Sequence, residues 1–275
     1  MKKIANAYIE EKPLSYLRFP MLDRYPELKH GYSTRLGGVS TGHCSTMSFS
    51  VKCGDEVWQV KENFRRMAEA VGVSPDSLVL TDQVHGDAVL SVTKEQRYDE
   101  NGRTTLHGVD AIITNQQDVT LVCFTADCVP VFFYDPVKKA IGLAHAGWRG
   151  TVQQIGKKTL EQMRISYGCD PADVCVVIGP SICASCYEVS EEVAEAFREQ
   201  YEEIELAQIL LPGREGHYQL DLWQANRVSL IQAGVPETQI EISGVCTCCH
   251  ADLLHSHRAT GGKRGILTGY LALRE

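Results

Sequence analysis

The stretch Asp118–Gly150, "DVTLVCFTADCVPVFFYDPVKKAIGLAHAGWRG", decides the fold. Its three apolar runs, "VTLVCF", "VPVFFYD" and "AIGLAH", are short and bounded by turn residues, so they read as buried strands. The second and third, joined by "PVKK", read as a hairpin, which brings the chain back to the end where it started. Cys128 in "TADCVP" and His145 in "LAHAGWRGT" are therefore expected side by side. An acid and a thiol, Asp127 and Cys128, fill the gap between two buried strands, and loops held by a rigid scaffold are where chemistry is usually found. The plain alternative is a turn with an incidental buried thiol.

Working outward, "SLVLTDQVHG" and "AVLSVT" read as strands around a turn, and "VDAIITN", "VCVVIGP", "IEISGVCT" and "GILTGYLAL" as further strands. Pro130 belongs near a strand start or edge. Val57, Val60, Phe64, Met67 and Val71 recur at helical spacing, with Gly72 as the stop. "GTVQQIGKKTLEQMRISYG", "SEEVAEAFREQYEEI" (Ser190 as N-cap) and "DLWQANRVSLIQAG" (Asp221 as N-cap, Gly234 as the end) read as helices. Strands in runs with helices interspersed irregularly predict a mixed-sheet α/β or α+β layered domain rather than a doubly wound parallel one. There is no repeat, linker, G-x-G-x-x-G opening a helix, or P-loop.

Composition narrows the function classes. The 275 residues carry a net charge of −8, which argues against a nucleic-acid groove or an anionic membrane surface as partner. No run reaches the roughly 20 apolar residues of a bilayer span, and the N-terminus lacks a secretion signal's apolar core. The expected location is cytoplasmic. Eleven cysteines without an export signal point to metal ligation or catalysis rather than a disulfide framework.

Three polar stretches, "DQVHG" with His85, "TADCVP" with Cys128 and "LAHAGWRGT" with His145, stand at expected strand ends. Two imidazoles and a thiolate suit Zn²⁺ with a fourth position open. The same residues also read as a Cys128–His145 nucleophile pair in a cysteine hydrolase, or as a purely structural metal scaffold.

The ordered motifs "STRLGGVS", "DQVHG", "TADCVPV", "AHAGWRGT", "IGPSI…CYEV" and "SGVCT" resemble the YfiH/YlmD family. That laccase-domain family was long labelled multicopper polyphenol oxidase and is now regarded as purine nucleoside phosphorylases. "HSHR" is similar to the YlmD type. The resemblance implies one α+β domain of α/β/β layers over 1–275, and Zn²⁺ on His85, Cys128 and His145. It also implies phosphorolysis of adenosine, inosine and S-methyl-5'-thioadenosine to free base and ribose 1-phosphate, with adenosine deamination as a side activity. Its partners are purine nucleosides and inorganic phosphate. The chain departs from the family pattern at "CSTMSFS", "CASCYEV" and "GGKRGI".

Phosphorolysis needs a phosphate clamp, and an arginine fork matches two phosphate oxygens. Arg35, Arg149 and Arg258, in glycine-bearing or polar loops, are the candidates, with Gly37 and Gly38 offering backbone N–H groups to an anion. Asp127 is the candidate proton shuttle for deamination, its alternative being a turn cap. Trp148 reads as a purine platform or as core edge. Nine histidines, with one H-x-H at His255–His257, are too few for a multicopper oxidase, although Cu²⁺ binds N/S ligands more tightly than Zn²⁺ in vitro. "CTCCH", Cys246–His250, is too compact for one tetrahedral site, and Cys183–Cys186 is a C-x-x-C lacking an evident second pair.

Overall fold

The computed structural model describes residues 1–11, 14–97, 104 and 106–274. Val129–Asp135 and Ala140–Ala146 form the expected antiparallel hairpin, with His145 opposite Pro130 and Ala146 opposite Val129. Side chains alternate across a strand, and both faces of this hairpin are apolar. Phe132, Tyr134, Ile141 and Leu143 enter one core, while Val131, Phe133, Ala140 and Ala144 enter another. A hairpin apolar on both faces has to be covered on both, and it is.

On the first face lies a second sheet. Its strands run Lys2–Ile4, Ala7–Glu10, Tyr16–Arg18, Leu28–Ser33, Leu267–Leu273, Thr120–Thr125 and Leu78–Leu80 in spatial order. Leu17, Tyr32, Leu121 and Leu271 meet Phe132 and Tyr134 between the sheets. Gly269 sets their separation: a Cβ there would meet the Phe132 ring at 2.9 Å. The hairpin's own sheet runs Ile240–Ile242, Cys175–Ile178, Val129–Asp135, Ala140–Ala146, Ala111–Thr114 and Val89–Ser91. Its outer face carries the helices Ile155–Tyr167, Glu191–Gln200 and Leu222–Gln232 through Ile155, Met163, Phe197, Ala225 and Leu230. The helix Val57–Val71 covers the other sheet with Val60, Phe64 and Met67. The outcome is the expected layered α+β domain. A third, small sheet of Glu188–Ser190, His217–Leu220 and Leu210–Pro212 was not anticipated.

Several readings need correction. Leu78–Leu80 and Val89–Ser91 are not neighbouring strands around a turn. They lie in different sheets, each parallel to its neighbour, so residues 81–88 cross from one layer to the other. The helix expected across 150–168 is broken into Trp148–Val152 and Ile155–Tyr167, because Gln154 adopts a left-handed φ of 62°. Asp221 caps its helix by accepting the Gln224 N–H, whereas Ser190 occupies the N-cap position without a side-chain bond. The "SEEVAEAFREQYEEI" helix stops at Tyr201, and a separate helix, Glu203–Ile209, follows.

Candidate metal centre

The crossing segment explains where His85 goes. The Val84, His85 and Gly86 N–H groups all donate to the Asp110 carboxylate, at 3.0, 2.9 and 3.0 Å. That wrap holds His85 at a φ of 63°, a left-handed conformation that a non-glycine residue adopts at a cost. Asp110 directly precedes the strand Ala111–Thr114, which pairs with Ala140–Ala146. Its carboxylate therefore also reaches the hairpin end. Oδ1 accepts the His145 Nδ1–H at 2.8 Å, and the Asp110 carbonyl accepts the His145 N–H at 2.8 Å.

One buried carboxylate thus orients both histidines. A carboxylate only accepts, so His145 Nδ1 carries a proton, and Nε2 becomes a free donor only once it has lost its own. The two imidazole rings stand edge to face, centroids 4.8 Å apart and planes at 76°. The donor atoms of His85, Cys128 and His145 lie within 4.8 Å of one another. Gly147 lets them converge, because a Cβ there would lie 3.0 Å from His85 Cδ2 and 3.1 Å from Cys128 Sγ.

The electrostatics follow from the same contacts. Burial opposes a Cys128 thiolate, but the His145 charge and hydrogen bonds from His145 and His85 overcome it and pull the thiol down to about 6. Burial likewise opposes an imidazolium at His145, and Cys128 with Asp110 outweighs it, raising the group to about 9. Asp110 is buried, yet His145 and its N–H donors hold its carboxyl below the usual value. These contacts favour a Cys128 thiolate beside a protonated His145 on the Asp110 carboxylate. An ion that displaces the imidazolium proton finds two nitrogens and a sulfur already aimed, a donor set that suits Zn²⁺.

Asp127 lies in the loop before the hairpin at a φ of 87°. Its Oδ1 accepts the Thr247 hydroxyl at 2.6 Å and its Oδ2 the Arg258 N–H at 2.7 Å. The Arg258 guanidinium donates to the carbonyls of Cys186 and Glu188 and sits 5.3 Å over the Tyr187 ring. The Arg149 guanidinium stacks 4.2 Å over Trp148, which leans on the helical core. Burial, and then the charges of Cys128, Arg258, Asp127 and Arg149, act on the Tyr187 phenol and leave it at about 12. Arg258 is therefore tied both to Asp127 through its N–H and to Tyr187 through its guanidinium.

Arg35 is placed differently. It donates to the Ser45 and Ala251 carbonyls and holds two loops together. The Gly38 N–H goes to the Thr46 hydroxyl, and a Cβ at Gly38 would lie 2.2 Å from the Thr46 carbonyl oxygen. Close backbone packing is therefore what Gly38 serves. Asp110 and Tyr187 were not among the residues singled out from sequence. The one available signal for Asp110 was an acid set against "AIIT", where burial demands partners.

Comparison with known proteins agrees with this architecture. Residues 29–274 match the family described as "Multi-copper polyphenol oxidoreductase laccase". The "Purine nucleoside phosphorylase" of Bacteroides thetaiotaomicron is 39% identical over 264 residues, covering 93% of this chain and 95% of that protein. The "Purine nucleoside phosphorylase YlmD" of Bacillus subtilis is 37% identical, with 90% of each covered. The crystal structure of YlmD from Geobacillus stearothermophilus superposes with a TM-score of 0.91 at 32% identity, over 98% of this chain and 100% of that one.

Proposed function

The chain belongs to the family described as multi-copper polyphenol oxidoreductase laccase, and from that premise we propose that it is a zinc-dependent purine nucleoside phosphorylase. The substrates we assign are adenosine, inosine and S-methyl-5'-thioadenosine, with deamination of adenosine as a second reaction. The observation that carries this reading is the trio His85, Cys128 and His145, oriented by Asp110 and joined by no fourth ligand among the described residues. His85 is exposed, so one side of the trio faces solvent. A site of three protein ligands is the open, catalytic kind. Zn²⁺ bound there supplies a Lewis acid and lowers the pKa of a coordinated water.

The remaining work falls to this chain's own groups. Arg149 and Arg258 are the phosphate ligands in this proposal: Arg258 lies over the Tyr187 ring, and Arg149 stands two residues after Gly147, which packs against His85 and Cys128. Each presents a planar fork that suits two phosphate oxygens. Arg35 then acts mainly by bracing its loops. Phosphate adds to the ribose carbon as the bond to the purine nitrogen breaks, and the products are free base and ribose 1-phosphate. Trp148, which follows Gly147 in the chain, is the proposed purine platform, a role for which the Arg149 guanidinium over its ring would have to move. Asp127 is the proposed proton carrier in deamination, a role for which its two accepted bonds would have to rearrange. Eleven free cysteines fit a reducing cytoplasm.

The test is base release from inosine with and without phosphate on zinc-loaded protein. Ribose 1-phosphate formed only with phosphate supports the reading, and free ribose at an equal rate without phosphate overturns it. A laccase mechanism is disfavoured by ligand supply. Among the described residues the histidine-bearing group holds two imidazoles, and the other group that could hold a metal ion is all cysteine. One observation favours a second reading. Asp110, His145 and Cys128 form the chain of contacts of a cysteine hydrolase. Full activity in metal-free protein, abolished by alkylating Cys128, would select it.

A further inference from the structure

Two short motifs that the sequence keeps apart meet at the rim of the site. The loop after the strand Cys175–Ile178 carries Cys183 and Cys186. The turn after Ile240–Ile242 carries Cys246 and Cys249. Ser181 bridges Cys246 in parallel fashion, the Ser181 N–H donates to the Val245 carbonyl at 3.2 Å, and the Thr247 N–H donates back to the Ser181 carbonyl at 3.0 Å. These bonds run the two loops alongside each other, and the four sulfurs converge within 4.8 Å. The sequence thus holds a C-x-x-C at 183–186 facing a second C-x-x-C at 246–249, 63 residues later by the Cys183–Cys246 separation. Cys248 and His250 stand outside the cluster.

We propose that Cys183, Cys186, Cys246 and Cys249 form a second metal site, a closed tetrathiolate holding one Zn²⁺ that locks the two loops together.

The geometry is that of a single ion. Zn–S bonds of about 2.3 Å in a tetrahedron set the sulfurs about 3.8 Å apart. Cys249 Sγ lies 3.5 Å from Cys186 Sγ and 3.9 Å from Cys183 Sγ. These separations are too long for disulfides, whose S–S bond is about 2.05 Å. They are also too short for a cluster in which each thiolate binds its own iron. Cys246 Sγ accepts the Cys183 and Cys249 N–H groups at 3.3 and 3.4 Å, which is how a coordinated thiolate is stabilised by its own loop. The Arg258 guanidinium on the Cys186 carbonyl places positive charge beside a site whose four thiolates and Zn²⁺ sum to −2. Binding releases each proton still carried by the thiols. Cys249 is exposed, which gives the ion a way in.

The position gives the site its consequence. Tyr187 follows Cys186, and Thr247, which donates to Asp127, follows Cys246. The Ile182 N–H donates to the Asp127 carbonyl. An ion on the four thiols fixes the loops that hold Asp127, next to Cys128, without itself joining the His85–Cys128–His145 cluster.

Zinc analysis of the purified full chain tests this. The expected content is about two Zn²⁺ per chain, falling to about one in Cys183→Ser/Cys249→Ser and to about one in Cys128→Ala, while Cys248→Ser keeps both. Since the double variant can fail to fold, cobalt replacement in Cys128→Ala serves as the independent reading. Intense sulfur-to-cobalt charge transfer with tetrahedral visible bands is the expected spectrum. A Cys128→Ala chain with no metal overturns the proposal. So does a Cys186–Cys249 disulfide found by mass spectrometry in protein purified under reducing conditions.

Discussion

Asp110 is the residue on which the candidate site turns. It accepts three backbone N–H groups and the His145 ring, so its effect on a metal is exerted through two ligands at once. Asp110→Asn leaves one carbonyl oxygen to do the work of two. Zinc affinity should fall by at least the roughly 10–100-fold typical of changes behind the ligands, as measured with a competing chelator. Cys128→Ala should be more damaging still, since it deletes a ligand. Asp127→Asn separates the two readings of that residue. A loss of deamination of about 10²–10⁴-fold with zinc and phosphorolysis retained marks a proton carrier. Parallel losses in both reactions mark a clip between Thr247 and the Arg258 N–H. At this scale the pairing of Cys128 with His145 was legible, because hairpin logic puts the two together. Asp110 was not, because nothing in its own spacing says that residues 84–86 will fold around it.

Among the elements, closeness of approach decides what the strands and turns can carry. Gly147 has an unstrained φ of −69°, so Gly147→Ala tests proximity alone. Its Cβ would press on His85 and Cys128, and the expected outcome is weakened zinc binding with little change in thermal stability. Gly269→Ala is the converse. The added methyl meets Phe132 between the two sheets, and overpacking of that kind costs about 1–3 kcal/mol. Thermal melting should fall while zinc content holds. The strands buried on both faces were readable as apolar runs, and the helix Val57–Val71 as a 3.6-residue period. What sequence periodicity could not supply was partnership. Val89–Ser91 joins the sheet opposite to that of Leu78–Leu80, each pairing in parallel with a strand distant in the chain, a long-range choice that leaves no local mark. The two C-x-x-C motifs failed to be recognised as a pair for the same reason.

For the molecule as a whole, two buried histidines outside the candidate site add to its acid sensitivity. His30 is buried and accepts the Phe19 N–H through Nε2, and burial, then Arg18, drives it down to about 3. His255 accepts the Gly265 N–H on Nδ1 and donates to the Met47 carbonyl, and burial, then Arg35, brings it to about 4. Unfolded histidine titrates near 6.5, so below that pH the unfolded chain takes up protons that the folded chain refuses. Stability from these groups is complete above about 6.5 and drains as pH falls toward 4. Glu241 acts in the opposite sense. Burial raises it to about 7, so the folded chain keeps a proton that the unfolded one releases above about 4.5. For these three groups together, two protons against one leave a slope of about 1.4 kcal/mol per pH unit between 4.5 and 6. His30→Gln should flatten the dependence of melting temperature on pH across that window, and Glu241→Gln should steepen it. Every other group is common to all three proteins, so differences between slopes report these side chains. Identical slopes for wild type and both variants would mean that neither group carries a perturbed proton into the folded state.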